Sequence, residues 1–314
     1  MTAPDTRRIM CAVLVALLPG VLLQCYWFGL GTLTNLGLAV GFGIAAEFLL
    51  LRCRARPVLP AIADGTVVVT CSLIAIALPP GTAWPILLIA SVTALGLGKH
   101  AYGGTGYNLF NPAMVGYAVV LVSFPAALGW PPATGLEIDA ATGPTLLESF
   151  KYRSAQTVAE VWQAEAGFGR FGGFGVEWVN LGYLVGGLLL LVWRIIDWRV
   201  PVAMLIGMAV IAMLGYDGGS SASLGSPVMH WFSGATMLTA FFIATDPVTC
   251  PSSGRGRLLF GALIGTVIMM IRSWGGYPDG VAFAVLLGNA VAPLIDRYIG
   301  IVDTRRRLPP DSVG

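Results

Sequence analysis

Ten apolar runs, each close to the length that crosses a bilayer, constrain what this chain can fold into. They cover residues 9–28, 34–51, 65–80, 84–98, 111–129, 176–195, 200–216, 231–247, 258–272 and 279–296. A helix of roughly 17 to 25 apolar residues spans the hydrocarbon core. Only 11% of the 314 residues are charged, against about 25% in soluble domains. The sequence therefore predicts an all-α polytopic membrane protein with about ten transmembrane helices.

The two halves of the chain resemble each other in the order of their helix breaks. Asp64–Thr66 opens a run in the first half, and Ser233–Thr236 opens its counterpart in the second. The glycine-rich segment Gly103–Asn108 likewise corresponds to Gly275–Gly280. Because each half holds five runs, one copy must lie upside down relative to the other. We expect two inverted five-helix repeats with broken helices.

Basic residues indicate how the chain is oriented in the membrane. With the N-terminus in the cytoplasm, fourteen of the eighteen Lys and Arg residues fall on the cytoplasmic side, as the positive-inside rule requires. Both termini are then cytoplasmic. The chain divides into a first five-helix repeat (1–129), an extracytoplasmic loop (130–175), a second five-helix repeat (176–298) and a cytoplasmic tail (299–314).

The extracytoplasmic loop holds a candidate modification site at Thr142-Gly143-Pro144-Thr145. Thr145 lies in a stretch rich in small residues, where a modifying enzyme could reach a flexible, exposed hydroxyl. Gly and Pro also form ordinary turns. Without other information, an ordinary turn is the more economical interpretation.

The pair Asn111-Pro112 predicts a helix start, with Asn as the N-cap and Pro at the first helical position. The free N–H groups of a helix start suit an electron-rich or anionic group. The alternative is a capped span that binds nothing.

Charged residues in or near the runs are further candidates, because charge inside a membrane is costly and usually functional. Asp246 ends a broken helix near the cytoplasmic face and could form a cation or proton site. Glu47 is a second candidate for such a site, or it could pair with Arg52 one turn away. Arg272, at an outer span end, could pair with a phosphate group or with Asp279.

Metal chemistry by this chain alone is not expected. Its five cysteines show no CxxC spacing, and its two histidines lie far apart. These features argue against an iron–sulfur, zinc or haem site.

Four motifs carry a family resemblance that covers essentially the whole chain. They are YGGTGYNLFNPAM at 102–114, SGATM at 233–237, FFIATDPVT at 241–249 and RSWGGYPDGVAFAVLL at 272–287. They resemble the D subunit of Rnf electron transport complexes, also called RsxD. The close relative of that family is the B subunit of the sodium-pumping NADH:quinone reductase, or NqrB.

This resemblance implies FMN bound covalently, through a phosphodiester, to a threonine hydroxyl. The family stretch reads Ser-x-Ala-Thr before an acidic residue, Phe and Lys, which correspond here to Thr142–Thr145, Glu148, Phe150 and Lys151. Thr145 is therefore the expected attachment residue, surrounded by Thr142, Gly143 and Pro144. Thr236, in Ser-Gly-Ala-Thr, fits the bare pattern better by letters but runs directly into an apolar helix.

With a flavin implied, Asn108, Asn111, Arg272 and Asp279 are expected as further cofactor-binding positions. The resemblance also implies a second, non-covalent flavin (riboflavin or FMN). That second flavin is expected near the cytoplasmic helix breaks, because electrons must cross about 30 Å of hydrocarbon.

The implied function is that of a subunit of an ion-motive complex, which moves electrons between ferredoxin and NAD and translocates H⁺ or Na⁺. The subunit would not be active alone. Its expected partners are the A, B, C, E and G subunits of the Rnf complex, an ApbE-type flavin transferase and membrane lipid, with no nucleic acid. The expected location is the bacterial inner membrane.

Two alternatives compete with this interpretation. One is an NqrB-type subunit, although that subunit usually has a longer N-terminal segment than the eight residues that precede the first run here. The other is a urea or ammonium channel, which can also consist of two inverted five-helix halves. Such a channel would carry no flavin.

Overall fold

The computed structural model describes residues 3–136, 142–164 and 167–307, and side chains between residues 6 and 301 of those ranges. Parts of the predicted loop (137–141 and 165–166) and of the predicted tail (308–314) lie outside the described residues. Across the described ranges the chain is helical, and its β structure consists of two isolated bridges, Trp130 to Gly143 and Phe168 to Gly173.

The first half contains three long or medium apolar helices and three shorter ones. They are α1 (Ala3–Phe28), α2 (Gly31–Cys53), α3 (Val58–Ala63), α4 (Thr66–Ala77), α5 (Trp84–Gly96) and α6 (Pro112–Ser123). Helix α6 begins as predicted, because Asn111 caps it by accepting a bond from Met114 N and Pro112 occupies the first turn.

The segment between the halves folds into two short helices, α7 (Leu146–Lys151) and α8 (Val158–Ala164). They enclose a small apolar core of their own, formed by Leu146, Leu147, Phe150, Val161, Phe168 and Met229. The predicted loop is thus a packed structure over much of its length.

The second half contains three long or medium apolar helices and two very short ones at a break, followed by a long final helix. They are α9 (Val176–Val192), α10 (Arg199–Leu214), α11 (Pro227–Trp231), α12 (Thr236–Leu238), α13 (Gly254–Trp274) and α14 (Val281–Arg307). A π-helical turn, Thr239–Ile243, continues α12. The helix in the predicted run 231–247 is therefore broken, as expected.

Five helices in the described ranges are long and apolar enough to cross a membrane, namely Thr6–Phe28, Gly31–Cys53, Trp84–Tyr102, Gly254–Trp274 and Val281–Ile301. Helices α4, α6, α9 and α10 are apolar but shorter. Large apolar side chains such as Leu22, Val192 and Leu214 are exposed, as lipid-facing residues are. The prediction of an all-α, multi-pass membrane protein is confirmed, and the number of ten spans stays a prediction.

Glycines let the long helices approach each other closely. A Cβ atom at Gly265 of α13 would overlap the Met204 carbonyl of α10, and one at Gly186 of α9 would overlap the Ala16 carbonyl of α1. Each glycine has a second one four residues before it, Gly261 and Gly182. Small residues at this spacing drive helix association in lipid, where apolar burial alone gives little.

Candidate functional site

Thr145 occupies the N-cap position of α7. Its hydroxyl oxygen accepts a hydrogen bond from Glu148 N at 3.3 Å, and the residue is half-buried. The residues ahead of it are held by Gly143 N, which donates to Trp130 O at 3.2 Å. Thr142 and Pro144 are exposed. The hydroxyl is therefore at the surface, but at the start of a helix rather than in an irregular loop.

Lys151, at the last position of α7, joins the loop to the turn between α13 and α14. Its ammonium group donates to Ile271 O at 2.9 Å, Gly275 O at 2.5 Å and Tyr277 O at 2.8 Å. Burial lowers the pKa of Lys151 from its ordinary value. A cation among the last carbonyls of a helix interacts favourably with the helix dipole, so this contact fixes α7 against the end of α13.

Glu177, in the first turn of α9, anchors the return of the loop. The residue is 2% exposed, and its carboxylate accepts from the backbone N–H groups of Arg170 at 3.1 Å, Phe171 at 2.8 Å and Gly172 at 2.9 Å. Sequence reasoning missed this residue. The signal in the sequence was an acidic residue in a first helical turn just after a glycine-rich segment.

Arg272 lies at the centre of a buried hydrogen-bond network at the same end of the molecule. It is 4% exposed and bonds Asp279 Oδ1 through Nε at 3.1 Å and Nη2 at 3.0 Å. It also donates to His230 O at 2.9 Å and Thr236 Oγ1 at 2.9 Å. Of the two partners predicted for Arg272, the structure shows Asp279. Protein atoms occupy most of its donors.

Thr236 is completely buried inside this network. Its hydroxyl donates to His230 O at 2.8 Å or to Ser233 O at 2.9 Å and accepts from Arg272. An enzyme from solution cannot reach this hydroxyl without opening the network.

A cavity of about 250 Å³ lies between α7, α11 and the end of α13. Its lining includes Leu147, Phe150, Lys151, Arg153, His230 and Arg272, together with serines at 221, 223 and 273. Three cationic side chains and no acidic one belong to this lining, as far as the described residues show. Helix α7 thus links the Thr145 hydroxyl to a positively charged cavity.

His230 contributes an unpaired acceptor to this region. Its Nε2 lies 2.7 Å from Leu224 O, so Nε2 carries the proton. Its Nδ1 is then an acceptor, and it is buried without a hydrogen-bond partner among the described residues. Burial, and next the charge of Arg272, lower the pKa of His230 to about 3, although the bond to Leu224 O acts in the opposite direction. The imidazole is therefore neutral at physiological pH.

The structure places Glu47 in a second buried cluster. Its Oε1 lies 2.8 Å from Lys99 Nζ, and its Oε2 lies 3.0 Å from His100 Nε2. Arg52 instead lies over the Phe48 ring. The suggested pairing of Glu47 with Arg52 was wrong, because helix packing brings Lys99, 52 residues away, to the buried carboxylate.

Asp246 lies in a third group, with Asn111 and Asn289. Asn289 Oδ1 accepts from Asn111 N at 2.9 Å, and Asn111 Nδ2 lies 3.5 Å from Asp246 Oδ2. Asn108 lies just ahead, where its Nδ2 donates to Phe110 O at 3.0 Å. This group is at the start of α6, whereas the Thr145 loop follows its end. Helix α6 has twelve residues and is therefore about 18 Å long.

The described residues contain no group of three or more His, Cys, Asp or Glu side chains that could hold a metal ion. What the structure brings together at the loop end is Thr145, the charged cavity and the Arg272–Asp279 pair.

Comparison with known proteins identifies the family. Residues 1–302 match the model of the NQR2, RnfD, RnfE family. The chain is 48% identical over 309 residues to the D subunit of the ion-translocating oxidoreductase complex of Pseudomonas paraeruginosa. The alignment covers 93% of this chain and 90% of that protein. The chain is 43% identical over 325 residues to the same subunit of Aeromonas hydrophila (93% and 92% covered) and 42% identical over 329 residues to that of Vibrio cholerae (94% and 93% covered). The chain therefore belongs to the NQR2, RnfD, RnfE family.

Proposed function

We propose that this chain is the flavin-carrying membrane subunit of an Rnf-type ion-translocating oxidoreductase complex. It carries electrons between ferredoxin and NAD through FMN bound covalently to Thr145, and electron flow drives translocation of H⁺ or Na⁺. Relatives with 42–48% identity are named as the D subunit of an ion-translocating oxidoreductase complex. That name, together with the family match over residues 1–302, supports the assignment.

The difference in accessibility between the hydroxyls of Thr145 and Thr236 supports the choice of Thr145 as the attachment residue. Thr145 is half-buried, and within the described residues its hydroxyl has one hydrogen-bond partner, Glu148 N. Thr236 is 0% exposed, and its hydroxyl lies within hydrogen-bond distance of two carbonyl oxygens and the Arg272 guanidinium. A flavin transferase that acts from the outer side needs an accessible hydroxyl, so accessibility favours Thr145 over Thr236.

The ten runs are proposed to form two inverted halves. Matching pairs of helices pack together: α2 contacts α5 as α10 contacts α13, and α5 contacts α6 as α13 contacts α14. A further pair of contacts supports the correspondence of the two halves. Lys99, after α5, donates to Thr66 at the start of α4 at 3.0 Å. Arg272, in α13, donates to Thr236 at the start of α12 at 2.9 Å. The same cation-to-threonine contact thus recurs in the two halves.

The remaining parts of the proposal concern the other side of the membrane. A second, non-covalent flavin (riboflavin or FMN) is proposed near the cytoplasmic helix breaks, which include the Asn111–Asp246 group. Asp246 and Glu47 are the candidate cation or proton positions, and Glu47 already has Lys99 as a counter-ion.

The proposed partners are the A, B, C, E and G subunits of the Rnf complex and an ApbE-type transferase. The proposed location is the bacterial inner membrane, with both termini cytoplasmic and the Thr145 loop outside.

Mass analysis of the purified chain tests the proposal. The chain is co-expressed with an ApbE-type transferase as wild type, Thr145→Ala and Thr236→Val, and peptides are examined for an FMN adduct and gels for flavin fluorescence. The proposal expects the adduct on the Thr145 peptide of wild type and Thr236→Val, and its loss in Thr145→Ala. An adduct on Thr236 would show that Thr236, and not Thr145, is the attachment residue. No adduct in wild type would remove the flavin-carrier function and favour a flavin-free channel.

A further inference from the structure

Asn289 lies inside the apolar helix α14 and forms hydrogen bonds with both halves of the chain. The residue is 0% exposed. Its Oδ1 accepts from Asn111 N at 2.9 Å, just ahead of α6 in the first half. Its Nδ2 donates to Thr249 O at 3.4 Å, after the broken helix of the second half. The side chain therefore joins the two helix breaks that lie on the cytoplasmic side in the predicted topology.

The chemistry of this contact requires an amide at position 289. One bond needs an acceptor for a backbone N–H group, and the other needs a donor for a backbone carbonyl. An amide carries both on one planar fork. A polar side chain within a membrane helix is costly and is usually functional, and Asn289 lies within the candidate span Val281–Ile301. An apolar residue there would take a partner from Asn111 N and from Thr249 O.

The first bond holds the cap of α6. Asn111 Oδ1 accepts from Met114 N at 3.3 Å, and Asn111 Nδ2 donates to Ile243 O at 3.3 Å. The backbone N–H of Asn111 is the group that Asn289 binds. The orientation of the Asn111 amide thus depends on contacts with α6, with the broken helix and with α14 together.

The second bond holds the turn that contains Asp246. Thr249 N donates to Asp246 O at 3.3 Å, and Val248 N donates to Asp246 Oδ1 at 3.0 Å. The turn therefore fixes the Asp246 carboxylate, and the Thr249 carbonyl ties the turn to Asn289. A shift of this turn would move Asp246 relative to the start of α6.

We propose that Asn289 is a positioning residue that holds the Asn111 cap and the Asp246 turn in a fixed relation. It acts through the backbone of Asn111 and Thr249 rather than on a ligand. In the proposed function, Asn111 contributes to the second, non-covalent flavin and Asp246 is a cation or proton position. The amide of Asn289 thereby links occupation of the flavin position to the geometry of the cation position. The inference rests on the proposed function, because it requires that flavin near Asn111.

Three variants test this role. Asn289→Leu keeps the branching of the side chain and removes both bonds. Asn289→Asp keeps an acceptor for Asn111 N in either protonation state. Asn180→Leu is the matched control, because Asn180 is a buried amide (1% exposed) that bridges the other break of the same helix. Its Nδ2 donates to Gly234 O at 2.9 Å, and its Oδ1 accepts from Met237 N at 3.0 Å.

Each variant is purified within the whole complex and dialysed to equilibrium against a series of riboflavin concentrations. Acid precipitation then leaves covalent flavin in the protein pellet and releases non-covalent flavin, which is measured by fluorescence. In sealed vesicles, the number of Na⁺ or H⁺ ions moved per electron passed from ferredoxin to NAD is measured as well. A loss of stability alone would not change this ratio in the complexes that remain intact.

We expect Asn289→Leu to bind riboflavin about tenfold more weakly, as for the loss of one net hydrogen bond, and to move fewer cations per electron. Asn289→Asp should bind riboflavin more tightly than Asn289→Leu, because the bond to Asn111 N is restored. Asn180→Leu should keep the wild-type riboflavin affinity and cation ratio. Covalent FMN on Thr145 should be equal in all four complexes.

The outcomes separate this inference from the proposed function. An unchanged riboflavin affinity or an unchanged cation ratio in Asn289→Leu would overturn the inference and leave the proposed function intact. Equal losses in Asn180→Leu would show a general effect of removing a buried amide, and would overturn it too. A wild-type complex without non-covalent flavin would overturn the second flavin and this inference, whereas FMN on Thr145 would still support the covalent site. If Asn289→Leu does not assemble, Asn289→Ala, which removes the same two bonds with a smaller side chain, takes its place.

Discussion

At the scale of single residues, burial decides how much each ionic contact stabilises the chain. The side chains of Arg272 and its partner Asp279 are 2% and 28% exposed, whereas those of Arg199 and its partner Asp197 are 39% and 18% exposed. Removing one member of a buried pair leaves an uncompensated charge and unpaired carbonyls. An exposed pair contributes little, because water screens it.

Arg272→Met is therefore expected to destabilise the protein by about 3–5 kcal/mol, and Arg199→Met by at most about 1 kcal/mol. Thermal unfolding in detergent, followed by size-exclusion chromatography of a fluorescent fusion, measures both. Equal losses in the two variants would show that the Arg272 network is not a structural centre.

His230 gives the stability of the protein a pH dependence. In the unfolded chain its pKa is near 6.5, and in the folded chain burial lowers that pKa to about 3. Between these values the unfolded state binds the extra proton, so this contribution to stability is complete above pH 6.5 and declines as pH falls. The charged groups nearest to it are Arg272, and, across the cavity, Lys151 and Arg153.

At pH 5 we expect wild type to have lost up to about 2 kcal/mol through His230. His230→Gln should lose less stability between pH 7.5 and pH 5, because it cannot take up that proton. Melting temperatures of both proteins at the two pH values measure the difference. Parallel pH profiles would contradict the assignment of a neutral, buried imidazole.

At the scale of helices, close backbone contact holds α10 against α13. A methyl group at Gly265 would overlap the Met204 carbonyl, whereas one at Gly41 of α2 would meet nothing within 4 Å. Gly265→Ala should cost about 1–3 kcal/mol by overpacking. Gly41→Ala should be neutral or slightly stabilising, because alanine has the higher helix propensity. Melting temperatures in detergent compare the two variants, and a neutral Gly265→Ala would refute the close contact.

The Glu177 carboxylate is expected to control the order of the chain around Arg170. In Glu177→Gln, one acceptor becomes a donor that faces backbone N–H groups, at a cost of about 1–3 kcal/mol. Trypsin should then cleave after Arg170 more rapidly. Glu148→Gln is the control, since Glu148 is an exposed carboxyl in the same segment. Equal cleavage in both variants would contradict an anchoring role for Glu177.

At the scale of the whole molecule, the orientation in the membrane is the property to test. In a chain with its cysteines replaced, either Cys53, the exposed last residue of α2, is restored or Ser154→Cys is introduced in the loop. A membrane-impermeant maleimide should label Ser154→Cys in intact cells and Cys53 only after lysis. The opposite result would place the N-terminus outside and the Thr145 loop in the cytoplasm.

Local sequence signals by themselves determined the class of the protein and the ends of some helices. Apolar run length predicted a multi-pass helical protein, and Asn111-Pro112 predicted the start of α6, because hydropathy and capping act between residues that are close in the chain. They also favoured Thr145 over Thr236 as the attachment residue, because Thr236 runs directly into an apolar helix although it fits the bare pattern better by letters.

The tertiary structure alone decided which charged groups meet. Lys99 reaches Glu47 across 52 positions, and Lys151 reaches the end of α13 across 120. Burial of Thr236 and the unpaired Nδ1 of His230 have the same origin. Helix packing brings these distant side chains together, and in a membrane interior a polar group must find a partner inside the protein, which no local pattern in the sequence specifies.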